Sequence, residues 1–178
     1  MPHPPPLIRQ LCEDDAAASR DLRLRALREA PVPFLRSYEE EARRTVEDFA
    51  SGLRGDDSAN QGLGAFQDGS LVGTLFVQRQ ALLKTRHRAS MGGMYVAPEA
   101  RRRGVGRALL QEAIRRLRAA GDIEQVELTV VRTEEPARRL YLSAGFQVQG
   151  VLRRAMKMDG EYFDEEELVM WLKGEPGP

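Results

Sequence analysis

The chain has 178 residues, with 27 Lys+Arg balanced by 27 Asp+Glu and a single cysteine. That length fits one domain with its own core. The balanced charge excludes a global field for nucleic acid or a membrane surface. No stretch approaches the ~20 apolar residues of a membrane span. One cysteine, Cys12, excludes a disulfide framework or a zinc site.

Residues 1–6, Met-Pro-His-Pro-Pro-Pro, predict a flexible N-terminus that lacks the charged and apolar regions of a signal peptide. Residues 174–178 are the matching flexible C-terminus, and 7–173 read as a single domain. Leu7–Leu11 predicts a short strand. Asp14 or Asp15 can cap the helix that follows, which runs to about Glu29. Its Leu22, Ala26 and Leu27 point inward, and Arg20, Arg23, Arg25 and Arg28 mostly outward. Cys12 reads as a buried structural thiol, since neither His3 nor His87 has a local motif around it. Ala30-Pro31-Val32-Pro33 stops the helix. Ser37, with Glu40 at the capping-box position, opens a second helix over Tyr38–Leu53. Gly52–Gly62 reads as a loose polar connection.

Gly62–Gln67 and Ser70–Arg79 predict a hairpin turned by Asp68-Gly69. Both faces of the second strand are partly apolar, as in a sheet covered on both sides. Ala81–Arg88 is a basic connection, and Ala89–Val96 is the next strand. Its Gly92-Gly93 pair is compatible with a bulge. A helix from about Arg107 to Ala120 places Leu110, Ala113, Ile114 and Leu117 on one face, and Gly121 ends it. Ile123–Val131 follows as a strand. Strand, helix and strand make a βαβ unit, so these two strands should be parallel. Pro136 starts a short helix, Ala137–Ala144, which Gly145 ends. Phe146–Leu152 and Glu167–Lys173 are the last strands, separated by an acidic loop over Asp159–Glu166.

The most informative stretch joins the strand ending in Met94-Tyr95-Val96 to the long helix. Gly104 and Gly106 permit positive φ and close approach of a ligand. The helix start offers free N–H groups and a positive dipole end, and Arg101, Arg102, Arg103 and Arg107 surround it with charge. The stretch is suited to phosphates. It is no Walker A loop, and Leu109 stands where a dinucleotide fingerprint needs a third glycine or alanine. What remains is R-x-x-G-x-G over Arg101–Gly106. This resembles the pyrophosphate-binding motif of the GNAT superfamily of N-acetyltransferases, [QR]-x-x-G-x-[GA]. Downstream, Ala137, Leu140, Tyr141, Gly145 and Phe146 resemble the second signature of that superfamily, N-x-x-A-x-x-L-Y-x-x-x-G-F, with Glu134 replacing its Asn. Weaker likenesses lie in Leu22–Leu27, Pro33-Phe34, Tyr38–Glu41 and Asp159–Glu165.

The resemblance implies a mixed α/β fold: a mostly antiparallel sheet of about seven strands, helices on both faces, and a parallel central pair that splays after Val96. It implies acetyl-CoA as acyl donor and an amine as acceptor, with direct transfer between them. Amides of Arg102, Arg103, Gly104, Val105 and Gly106 would take the diphosphate, with Arg101 and Arg107 adding charge. A backbone N–H among Met94, Tyr95 and Val96 would polarise the thioester oxygen. Glu134 would stand beside the pantetheine arm, and Tyr141 beside the sulfur as proton donor. No metal is expected. A base for the amine is left open among Glu39, Glu40, Glu134, the run Asp164–Glu167 and a water chain. Ala30–Glu41 and Met156–Glu166 are where acceptor contacts are expected, with the acidic loop favouring a cationic amine. A non-catalytic acyl-CoA sensor of the same fold, and an RNA-binding module using the arginines, are the alternatives. The second lacks an aromatic strand motif and net basic charge. The cysteine count is compatible with a cytoplasmic setting. Dimers are common in the superfamily, which leaves a homodimer open.

Overall fold

A computed structural model describes residues 5–54 and 59–174. Most of both expected flexible ends, and residues 55–58 of the expected loose connection, lie outside the described residues. The strands are β1 (Leu7–Gln10), β2 (Asn60–Gln67), β3 (Ser70–Arg79), β4 (Arg88–Val96), β5 (Gln125–Val131), β6 (Gln147–Met158) and β7 (Glu161–Trp171). The helices are α1 (Ala16–Glu29), α2 (Tyr38–Ala42), α3 (Val46–Leu53), α4 (Val105–Ala120) and α5 (Glu135–Ser143). The strands form one 7-stranded sheet in the order β1-β2-β3-β4-β5-β7-β6. Only β4 and β5 are parallel; the other five pairings are antiparallel.

Helices cover both faces, as the two-sided apolar pattern of β3 requires. α4 packs on one face, where Leu109 and Val105 close over Gly73. α3 packs on the other, where Leu53 and Phe76 close over Gly62. The main core joins Leu22 and Ala26 of α1, Leu63 and Leu75 of the sheet, and Leu109, Leu110 and Leu117 of α4. A second cluster of Leu11, Ala16, Phe49, Ala50 and Leu53 sits under α3.

Three expectations are corrected. The second helix is two helices. Ser37 caps α2, its Oγ accepting from Glu40 N–H at 3.2 Å, but Thr45 opens a new capping box with Asp48, accepting from Asp48 N–H at 3.2 Å. Two caps so close together end the first helix before it can run through. The acidic loop is a strand: β6 and β7 form a long hairpin turned at Asp159 (φ 50) and Gly160 (φ 88). Charge alone suggested a loop, yet Asp-Gly is the same turn signal that joins β2 to β3. Finally, Cys12 is exposed rather than buried. Its N–H donates to the Asp15 carboxylate at 2.9 Å, and Arg9 holds the same carboxylate through two bonds of 2.7 and 2.8 Å. Asp15 therefore makes no side-chain cap on α1.

Candidate active site

The site begins where β4 and β5 part. They pair only at Arg88–Gln125, Ala89–Val126 and Ser90–Glu127. Beyond Ser90, β4 keeps β3 as a partner but loses β5. Its pairing with β3 also shifts between Thr74 and Phe76. Gly93 takes φ 60 at that irregularity and its carbonyl accepts from Thr74 Oγ1 at 3.2 Å. The register shift falls at the Gly92-Gly93 pair, and at Gly93 a residue with a β-carbon would be strained. Ala97 N–H bonds back to Val72 O at 2.9 Å. By strand alternation the Val96 amide, one residue earlier, points the other way, into the gap left by β5. The Val96 carbonyl points there too, and Arg101 Nε donates to it at 2.9 Å.

The glycine loop closes the end of this gap. Arg102 (φ 60) and Gly104 (φ 78) turn the chain, and α4 starts at Val105, two residues earlier than expected. The first intrahelical bond is Ala108 N–H to Gly104 O at 2.9 Å. The amides of Val105, Gly106 and Arg107 precede it and belong to the unsatisfied first turn. Gly106 matters for space. A β-carbon there would meet Met94 Cε at 3.3 Å and Leu140 Cδ2 at 3.4 Å. The bare backbone lets α4 and α5 converge on β4.

Between these elements lies a cleft of about 650 Å³. Its walls include Met94, Tyr95, Val96, Arg101, Arg102, Gly104, Val105, Gly106, Arg107 and Glu134. The structure thus gathers ten of the expected residues into one cavity. Two expected residues stand apart from its wall. Arg103 turns to another surface with Pro5, Arg9 and Asp68. Tyr141 is buried behind the wall, with its hydroxyl donating to Met94 Sδ at 3.2 Å and its ring edge-on to Phe146. Burial pushes its pKa up to about 12, so the phenol keeps its proton through neutral pH. Tyr95 lies under the loop, its hydroxyl donating to Glu29 at 2.5 Å, with burial and that bond raising it to about 12 as well. Glu29 and Glu99 are in turn bound by Arg25. This chain of bonds ties α1 to the loop and fixes the cleft mouth.

The carboxylates offered as bases sort by their partners. Glu40 is engaged at the Ser37 cap. Asp164 pairs with Arg153 at 2.7 Å, and Glu166 with Arg138 at 2.6 Å. Glu166 thus faces α5, so Glu165 and Glu167 project to the opposite face. Burial, then the charge of Glu167, raises the pKa of Glu165 above its ordinary value.

Sequence reasoning missed a second cavity. About 330 Å³ in volume, it opens on the other side of the β4 bulge, between α1, α2 and α3. Arg23, Arg36 and Arg44 line it around the buried Glu41, with Thr74, Phe76 and Gly93 as its floor. Arg23 was expected on an outward face. It is half-buried instead, stacked on Phe34 at 4.3 Å. Nothing local in the sequence signals this, because Glu41 reaches it only through the turn after α1.

A seven-stranded mixed sheet, parted at its one parallel pair and closed by a glycine loop at a helix start, defines an acyltransferase fold. The family model for the Acetyltransferase (GNAT) family matches residues 23–146, and the chain belongs to that family. It is 32% identical over 97 residues to the L-amino acid N-acetyltransferase AaaT of Escherichia coli, a match covering 54% of this chain and 59% of that protein. The chain therefore spans about three fifths of that relative's length. An acetyltransferase of the GNAT family from Streptococcus pneumoniae superposes with a TM-score of 0.85 at 22% identity, over 95% of this chain and 99% of that one. The yncA protein from Salmonella typhimurium, a putative acetyltransferase solved with its cofactor acetyl-CoA, superposes at 0.79 and 17% identity, over 97% of each chain.

Proposed function

We propose that the protein transfers the acetyl group of acetyl-CoA directly to a primary amine. The observation that carries this reading is the alignment of the cleft. Unsatisfied amides of Val105, Gly106 and Arg107 stand at one end, and the parted edge of β4 at the other. An acyl carrier with a diphosphate at one end and a thioester at the other matches both. The residues present fit that carrier: Arg101, Arg102 and Arg107 surround the helix start with positive charge, and the side wall is largely apolar.

Each step then falls to a residue. The Val96 amide, with Met94 two residues before it, donates to the thioester oxygen as negative charge develops, a contribution of ~3 kcal/mol to the transition state. The amine attacks the carbonyl carbon and the carbon–sulfur bond breaks. Tyr141 gives the leaving sulfur a proton or a hydrogen bond. Its hydroxyl now rests on Met94 sulfur, a weak acceptor on a flexible side chain, so it can exchange partners at little cost. An alkylammonium of pKa ~10.4 must first lose a proton. Glu165, held neutral more readily than an ordinary carboxylate, suits that task better than its ion-paired neighbours. Glu134 at the cleft wall borders the path of the pantetheine arm.

The amino acid acceptor named for the AaaT relative supports a small amine over a large one. Titration calorimetry with acetyl-CoA, followed by thiol release with a panel of amines, tests the reading. Binding with acceptor-dependent thiol release is expected. Binding without release for any amine would favour the sensor alternative, and no binding would overturn both.

A further inference from the structure

We infer that the arginine pocket beside the β4 bulge holds a carboxylate of the acceptor, so that the acceptor is an amino acid or a small peptide rather than a plain amine. The inference rests on the transferase reading for the direction of chemistry, but its own evidence is separate.

That evidence is a charge imbalance around an unsatisfied donor. Three guanidinium groups share one buried carboxylate. Arg44 Nη1 binds Glu41 at 2.6 Å, while Arg23 Nε and Arg36 Nε stand 3.9 Å from the same group. Glu41 can neutralise only one of the three. Arg20, nearby, is committed to the backbone carbonyls of Ala42 and Arg44. Arg23 Nη1 is buried and has no hydrogen-bond partner. A buried charged donor without a partner is costly, and a ligand that supplies an acceptor relieves that cost on binding. Burial accordingly lowers the Arg23 pKa, against the pull of Glu41. A planar guanidinium matches a carboxylate through two parallel bonds.

Position makes this an acceptor subsite. The pocket floor includes Thr74 and Gly93, and the neighbouring donor cleft begins at Met94. The two cavities meet at consecutive residues of β4, Gly93 and Met94. A carboxylate held at Arg23 therefore lies across the β4 bulge from the cleft that Met94 and Val96 line. The volume of about 330 Å³ admits a small acceptor. Phe49, Leu53 and Phe76 supply an apolar wall for its side chain.

The test compares each L-amino acid with its own amide and its decarboxylated amine, as acceptors in thiol release and as ligands in calorimetry. Amino-terminal dipeptides form a fourth arm, which separates a free α-carboxylate from a carboxylate carried by a peptide. Wild type should favour acid over amide in kcat/KM by roughly 10- to 100-fold, the range expected for losing a charged hydrogen bond. Arg23→Gln should raise KM for the acid more than it lowers kcat, and bring the acid-to-amide ratio toward one. Arg23→Lys, which keeps charge but loses the fork, should recover part of the preference. The wild-type comparison decides the matter even if Arg23 variants fold poorly. Transfer with no preference for the acid overturns the pocket and leaves the transferase reading standing. Acid-selective binding without transfer does the reverse. Preference for the amide or amine overturns the pocket outright.

Discussion

Tyr141 shows how one residue can be placed by its motif yet shaped by its surroundings. The motif sets it on α5, facing β4. Burial then keeps it a phenol, with its pKa at about 12. Because that value is raised, the proton is retained at every pH below it, and Tyr141 imposes no alkaline limb on kcat in the neutral range. Tyr141→Phe should lower kcat by roughly 100-fold or more while changing KM for acetyl-CoA little. A variant with full turnover would remove the proton-donor role. Asp15 has the opposite shift. Hydrogen bonds from Arg9, then from the Cys12 backbone, hold its carboxyl at about 2. A depressed folded value means the stabilisation is present above the ordinary 3.8 and is lost as pH falls toward 2. The Arg9 side chain is 40% exposed, so solvent screens the pair. The net effect should be about 1 kcal/mol. Asp15→Asn should be less stable than wild type by that margin at neutral pH. In urea melts the difference should narrow as pH drops from about 4 to about 2, and a constant difference would contradict it.

Among the elements, α4 has its sequence and its geometry in closest agreement. Its apolar spacing, its Gly121 stop and the glycine loop before it are all local signals, and local signals survive folding. Gly106 adds a tertiary constraint that the motif expresses as a simple preference. Gly106→Val would drive methyl groups against Met94 and Leu140, or out into the cleft. It should weaken acetyl-CoA binding by about tenfold or more, read by calorimetry, with circular dichroism unchanged. Unaltered affinity would show that the cleft does not hold the carrier. The misread elements failed for definable reasons. The break between α2 and α3 was written in Thr45 and Asp48, but the earlier Ser37 cap masked it. The first half of β7 was hidden because Glu161–Glu166 looks solvated, whereas Glu165 and Glu166 are buried by their neighbours across the sheet. The arginine pocket depends on α1, α2 and α3 converging, and no window of sequence contains all three.

At the scale of the whole molecule, the family motifs made the fold and most of the cleft beside β4 legible, because two stretches that carry those motifs, 94–107 and 134–140, supply most of its wall. The proposed acceptor side was not, because it is assembled from distant segments of α1, α2, α3 and the sheet. This division has a physical basis. A diphosphate asks for main-chain amides, which any sequence with the right turn can supply. An acceptor asks for particular side chains in three dimensions.

The short parallel contact between β4 and β5 carries a mechanical implication. With only three residue pairs zipped, the sheet is two panels sharing a brief hinge. Whatever lodges in the opening braces one panel against the other. Acetyl-CoA at a hundred times its dissociation constant should add about 2.7 kcal/mol to the unfolding free energy by mass action. The strut should also leave a local trace: deuterium uptake slowing first at Met94–Val96 and Leu128–Val131, the two free margins, ahead of the distant β1–β2 edge.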